Sequence, residues 1–127
     1  MTAQRILLVE DDDDVSELFL DALREEGYCV DLAKTVAEAW VHLDAHSYTL
    51  VISDWRLPDG DGTSIVAAAA QLGAKTFLMS GYLPQMPGGR AEGHENIMKP
   101  ITPSELVLAV RRAIGGPDTE QRLTQPE

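Results

Sequence analysis

Five short, largely apolar segments alternate along the chain with segments whose apolar residues recur every three to four positions. Arg5-Ile6-Leu7-Leu8-Val9 is a continuous apolar run after a polar start, the pattern of a strand buried on both faces. Val15, Leu18, Phe19, Ala22 and Leu23 then fall at helical spacing, with Asp12 or Asp13 as N-cap and Gly27 as the stop. Tyr28 to Leu32 alternates apolar and polar residues and predicts a second, more exposed strand. Thr35 is placed to cap a helix whose buried stripe is Val36, Ala39, Trp40 and Leu43, and Tyr48 to Ser53 predicts a third, almost wholly apolar strand. Asp54 to Gly62 reads as loop, marked by Pro58, Gly60 and Gly62. An Ala-rich helix is expected from about Ser64 to Leu72, ended by Gly73, before a fourth strand from Lys75 to Met79. Glu95 to Met98 predicts a short fifth strand. Thr102-Pro103-Ser104-Glu105 is a capping box with proline at the first helical position, and it opens a helix to about Ile114. Gly115-Gly116-Pro117 ends that helix, and Asp118 to Glu127 reads as a frayed polar tail.

Strands alternating with helices imply right-handed crossovers and a parallel sheet covered on both faces. The length of 127 residues fits one domain with no internal repeat. Such a domain buries roughly two-thirds of the surface its unfolded chain exposes. No apolar run approaches the roughly 20 residues that a membrane-spanning helix needs, and the N-terminus lacks a signal-peptide pattern. Cys29 is the single cysteine, which excludes a disulfide framework and fits a reducing cytosol. The net charge of −11 argues against direct partnership with nucleic acid or an anionic membrane. That charge is uneven: residues 1–33 hold 10 acidic and 2 basic residues, and Glu10 to Asp14 are consecutive acids.

In open sheets of this kind the ligand site lies beyond the carboxyl ends of the strands. The predicted strands end at Glu10-Asp11, Asp54, Ser80-Gly81 and Lys99-Pro100. Three acids, a hydroxyl and an ammonium therefore converge at one end of the sheet. Carboxylates crowded into a small cleft repel one another unless a cation joins them or some become protonated. An all-oxygen donor set without cysteine or grouped histidine favours a hard ion, Mg²⁺ before Zn²⁺.

These residues resemble the receiver domain of bacterial two-component response regulators. The matching pieces are Ile6-Leu7-Leu8-Val9-Glu10-Asp11, Asp54-Trp55-Arg56-Leu57-Pro58-Asp59-Gly60-Asp61-Gly62, Met79-Ser80-Gly81 and Met98-Lys99-Pro100. The resemblance covers residues 4–115, leaving 116–127 as a polar C-terminal tail. It implies a flavodoxin-like, doubly wound five-stranded parallel sheet in the order 2-1-3-4-5, with the helix between strands four and five shortened or disordered. It also implies that Asp54 accepts a phosphoryl group from a phosphohistidine of a sensor or hybrid histidine kinase. Glu10, Asp11 and Asp54, with the Arg56 backbone carbonyl, match the family's Mg²⁺ ligands. Ser80 and Lys99 match its phosphoryl-contacting hydroxyl and cation, and Lys99-Pro100 matches a position where the family has a cis peptide. The implied protein is a cytoplasmic signalling switch with an unknown downstream protein target. It is no enzyme beyond its own phosphoryl transfer and autodephosphorylation.

Plainer roles compete for some residues. Asp13 and Asp14 suit a helix N-terminus, where negative charge offsets the macrodipole, and Asp12 does so while also standing within reach of a metal through water. His42 and His46 are four apart on a helix but lack a third ligand, so a solvated helix face is the simpler reading. Cys29 and Trp40 are expected in the core, and Trp55 near the rim of the pocket. The 81–95 segment departs from the family, since it holds Pro84, Pro87 and the Gly88-Gly89 pair. Asn96 and Ile101 occupy positions where the family usually has aromatic residues, which disables the usual hydroxyl–aromatic coupling unless Tyr82 substitutes. Ordering of the 81–95 segment on phosphorylation is the expectation, and dimerisation through the usual output face is not. Two other functions fit part of the pattern. Asp11, Asp13 and Val15 spell the D-x-D-x-V of haloacid-dehalogenase-like phosphatases, although that family's last acidic motif has no counterpart here. A phosphorylation-independent pseudo-receiver would not need the complete acidic set with Ser80 and Lys99. The chain reads as either a stand-alone receiver or a piece of a larger protein such as a hybrid kinase.

Overall fold

The computed structural model describes residues 4–81 and 95–117. In chain order the elements are β1 (Arg5–Val9), α1 (Asp13–Glu25), β2 (Cys29–Ala33), α2 (Val36–Ala45) and β3 (Leu50–Asp54). They continue as β4 (Arg56–Leu57), β5 (Gly60–Asp61), α3 (Thr63–Gln71), β6 (Lys75–Ser80), β7 (Glu95–Met98) and α4 (Pro103–Ile114). The main sheet has five parallel strands in the order β2-β1-β3-β6-β7, which is the expected 2-1-3-4-5 order of a flavodoxin-like, doubly wound fold. The expectations for the helix after strand four, for Tyr82 and for the tail beyond Pro117 lie outside the described residues.

Side-chain parity along the strands builds two cores, because successive residues point to opposite faces. Ile6 and Leu8 of β1 join Leu50 and Ile52 of β3 and Phe77 and Met79 of β6 under α1 and α4. Leu7, Val9 and Val51 pack on the other face against Ala39 and Leu43 of α2 and Ile65 and Ala69 of α3. Burial on both faces explains why β1 and β3 read as continuous apolar runs instead of alternating.

The helix ends follow local chemistry. Asp12 accepts the Val15 N–H at 3.0 Å as N-cap of α1, with Asp13 and Asp14 in its first turn. Thr35 caps α2 through the Glu38 N–H at 3.0 Å, and Thr102 with Glu105 forms the predicted capping box of α4. After α4 the chain returns to its start. The Gln4 N–H donates to the Pro117 carbonyl at 2.8 Å, the Gln4 side chain donates to the Ile114 and Gly116 carbonyls, and the Tyr28 hydroxyl donates to the Gly115 carbonyl at 2.6 Å.

Several expectations need correction. Strand two runs Cys29–Ala33 instead of Tyr28–Leu32, and strand three runs Leu50–Asp54 instead of Tyr48–Ser53. The register explains the second shift: Asp54 pairs with Met79 across β6, which extends β3 to the acid itself. Ser80 likewise belongs to its strand, paired with Met98. Asp54 to Gly62 is not wholly loop, since β4 and β5 form a small antiparallel hairpin. Trp40, expected in a buried stripe, is 39% exposed, and Leu18, one of the residues at helical spacing in α1, is 57% exposed. Each sits one residue, about 100° around the helix, from the buried Ala39 or Phe19 that faces the sheet. Cys29 is only half-buried. Among the described residues no helix is long and apolar enough to cross a membrane.

Leu7 and Leu18 separate these two environments. Leu7→Ala should cost about 3 kcal/mol in urea unfolding, because it empties a fully buried site. Leu18→Ala should stay within about 0.5 kcal/mol of the parent.

Candidate functional site

The carboxyl ends of β1, β3, β6 and β7 meet at one edge of the sheet, and each delivers one part of the site. Glu10 follows β1 and is 1% exposed; its backbone N–H is held by the Ala33 carbonyl at 3.0 Å, and its Oε2 accepts the Asp12 N–H at 3.2 Å. Asp54 ends β3 and is buried. Lys99 follows β7, where its backbone N–H donates to the Ser80 carbonyl at 3.0 Å, and the Lys99-Pro100 peptide is cis as the resemblance implied. Its ammonium lies 2.6 Å from Asp54 Oδ1 and 2.9 Å from Glu10 Oε1. Asp11 is exposed, yet one carboxylate oxygen from each of Glu10, Asp11 and Asp54 falls within 4.8 Å of the others. Ser80 is buried at the end of β6, and it lines a cleft of about 140 Å³ together with Asp54, Arg56, Met79, Gly81 and Lys99.

The electrostatics follow from this crowding. Burial, reinforced by hydrogen bonding with the Glu10 carboxyl, pushes the Asp54 carboxyl up to about 8, and Lys99 only partly opposes the rise. Burial works against the Lys99 ammonium, but Asp54 and Glu10 together outweigh it and raise its pKa. Two buried carboxylates thus share one ammonium, and the site is short of one positive charge. An all-oxygen cluster with that deficit suits a hard divalent cation. Among the described residues it is the one group of three potential metal ligands, and neither His42 nor His46 belongs to it.

The chain between Asp54 and Gly62 folds back on itself beside this edge. The Trp55 N–H donates to the Met79 carbonyl at 2.8 Å, and the Gly62 N–H to the Trp55 carbonyl at 2.7 Å. A Cβ on Gly62 would overlap the Asp54 backbone oxygen and Ser53 Oγ, so only glycine fits there. Trp55, expected at the rim, is buried against Val66 and Leu78 under α3, and the Arg56 guanidinium lies 5.2 Å from its ring centre. Asp59, which the sequence placed in the Asp54–Gly62 loop with no role of its own, accepts the N–H groups of Val36 and Ala37 at 2.8 and 3.1 Å. No local signal could reveal that contact, because its partners lie 23 and 22 positions away. Asp13, the acid a dehalogenase-like phosphatase would need, is instead solvent-facing: its side chain is 81% exposed and pairs with Lys34.

The doubly wound sheet thus gathers acid, hydroxyl and ammonium at its carboxyl edge, where open α/β sheets carry their sites. Residues 6–111 match the family model of the response regulator receiver domain, and the chain belongs to that family. It is 32% identical over 117 residues to the response regulator Rre1 of Synechocystis sp., covering 86% of this chain and 51% of that protein. The chain thus spans about half the length of that relative. A CheY-like receiver domain protein from Methanospirillum hungatei superposes with a TM-score of 0.78 at 27% identity, covering 98% of this chain and all of that one. The receiver domain of the hybrid histidine kinase CckA gives 0.74 at 30% identity, covering 87% and 98%. Neither the phosphatase nor the pseudo-receiver alternative is favoured by these likenesses.

The charge deficit has a measurable consequence. The folded state holds the Asp54 proton between the ordinary value of 3.8 and about 8, where the unfolded chain has released it. Stability therefore falls as pH rises through that window. In metal-free buffer Asp54→Asn should be more stable than the parent by at least about 1 kcal/mol at pH 8, with a smaller gap near pH 5. Urea unfolding at both pH values checks this, and equal stabilities at pH 8 would contradict it.

Proposed function

We propose that the protein is a phosphoryl-accepting switch in which Asp54 takes its phosphoryl group from a phosphohistidine of a sensor or hybrid histidine kinase. The observation that supports this most is the buried Glu10–Lys99–Asp54 group at the carboxyl edge, an acceptor carboxylate beside a cation and an acidic metal cluster. In this reading residues 4–115 form the signalling unit, and 116–127 a polar C-terminal segment. Glu10, Asp11 and Asp54, with the Arg56 backbone carbonyl, would hold Mg²⁺. That ion would neutralise charge on the phosphoryl oxygens, the main requirement of phosphoryl transfer.

The protein's own residues do the rest. An Asp54 carboxylate oxygen attacks phosphorus, the phosphorus–nitrogen bond to the imidazole breaks with its electron pair leaving on nitrogen, and an acyl phosphate remains on Asp54. Lys99, already 2.6 Å from Asp54 Oδ1, transfers its ammonium contact to the new phosphoryl oxygens. The Ser80 hydroxyl donates to another of them. Attack of water on phosphorus then regenerates the carboxylate and releases inorganic phosphate. The protein acts on itself in both steps, and its phosphorylated form changes its fit to a downstream protein target. This exchange belongs in the cytoplasm, where kinase and target meet it.

Intact-mass spectrometry with acetyl phosphate and MgCl₂ tests the reading. One added phosphoryl group is expected on the parent and none on Asp54→Asn, and Lys99→Ala should slow the gain. No gain from acetyl phosphate, phosphoramidate or a phosphorylated histidine kinase would leave only a phosphorylation-independent binding module.

A further inference from the structure

The hairpin between Asp54 and Gly62 carries Arg56, yet its own ladder is too short to hold it. Arg56 pairs with Asp61 and Leu57 with Gly60, and nothing longer continues the pairing. Even longer isolated two-stranded hairpins are marginal in water. Its base is tied to the sheet by the Trp55–Met79 backbone bond at 2.8 Å and closed on itself by the Gly62–Trp55 bond at 2.7 Å. Its tip needs a separate anchor.

That anchor is Asp59. Its Oδ1 accepts the Val36 N–H at 2.8 Å and its Oδ2 the Ala37 N–H at 3.1 Å, so the carboxylate is oriented as well as bound. The two donors belong to the first turn of α2, where backbone N–H groups lack helical partners and the helix dipole favours an anion. The same bonds hold the Asp59 carboxyl below its ordinary pKa, which keeps it charged. Gly60 seals the contact: at φ +155° its backbone passes so near α2 that an added Cβ would stand 3.3 Å from Val36 Cγ2. Meanwhile α2 has a cap of its own, because Thr35 Oγ1 accepts the Glu38 N–H at 3.0 Å. The helix is therefore started without Asp59; the second strand of the hairpin is held to α3 through the Asp61 carboxylate, which accepts the Thr63 N–H at 2.9 Å, and Asp59 holds the tip to α2. Leu57 and Val36 both pack against the α2–α3 core, which adds apolar contact on the same side.

We propose that Asp59 is a positioning residue of the cation site: by gripping the α2 N-terminus with both carboxylate oxygens it holds the β4–β5 hairpin, and with it the Arg56 carbonyl, ready for Mg²⁺. The proposal rests on the reading above, in which Glu10, Asp11, Asp54 and the Arg56 carbonyl bind that ion. It makes the α2 N-terminus, on a different crossover from every one of those ligands, a determinant of Mg²⁺ affinity.

Calorimetric titration of the full chain with MgCl₂ tests it, using the parent, Asp59→Ala, Asp59→Asn, Thr35→Ala and Asp54→Asn. Asp59→Ala should weaken Mg²⁺ binding about tenfold, the lower end of what is lost when a group that orients a metal ligand is removed. Asp59→Asn, which keeps one acceptor oxygen, should fall between that variant and the parent. Thr35→Ala removes a cap from the same helix while leaving the hairpin tied, and it should keep parental affinity. Parental affinity in Asp59→Ala, or an equal loss in Thr35→Ala, would overturn the proposal, the second by showing that only helix stability matters. If Asp54→Asn loses Mg²⁺ while Asp59→Ala keeps it, the cation site stands and the Asp59 role falls. If the parent itself takes up no Mg²⁺, the site reading fails and takes the proposal with it.

Discussion

Two buried carboxylates, Glu10 and Asp54, share the single ammonium of Lys99 at the carboxyl edge of the sheet. The arrangement is poor for stability, since burial, with the Glu10 carboxyl beside it, disfavours the Asp54 carboxylate and keeps its proton on toward neutral pH. The crowded oxygens suit a cation that would relieve their repulsion. Stability given up at a functional site is a common pattern, and here the rest of the fold has to supply the rigidity that keeps the like charges together.

That rigidity comes from the sheet being locked on both faces. Ile6 and Leu8 anchor β1 to the α1–α4 side while Leu7 and Val9 anchor it to the α2–α3 side, so Glu10 leaves the strand with little freedom. β3 is held in the same way by Leu50, Ile52 and Val51, and its register with β6 sets Asp54 opposite Met79. The strand order then matters chemically: β3 lies beside both β1 and β6, which brings ends separated by tens of residues into one cleft. At the far end of the sheet, Gln4 and Tyr28 tie Gly115 to Pro117 against the start of β1, closing the last helix onto the first strand.

Much of this was legible in the order of residues. The apolar runs, the caps at Asp12, Thr35 and Thr102, and the acids, serine and lysine at strand ends were all local signals, and each corresponds to an observed element or position. Less legible were features that depend on which residue at a helical spacing faces the sheet. Trp40 and Leu18 satisfy the spacing but flank the buried stripe, because Ala39 and Phe19 take its centre. Trp55 was taken for a rim residue because it follows Asp54, yet it packs under α3 against Val66 and Leu78. Asp59 carried no local signal of its role, since its partners become neighbours only when the β3–α3 connection lies over α2.

The sequence by itself therefore determined the elements, their alternation and the residue types at the strand ends, because hydrophobic period, capping and turn chemistry act over a few residues. The tertiary structure alone decided that Lys99 serves two carboxylates, that Asp54 titrates far from its ordinary range, that only glycine fits at position 62 and that Asp59 grips α2. Those facts depend on burial and on distances between residues remote in the chain. Both are properties of strand order and packing, which no local pattern encodes.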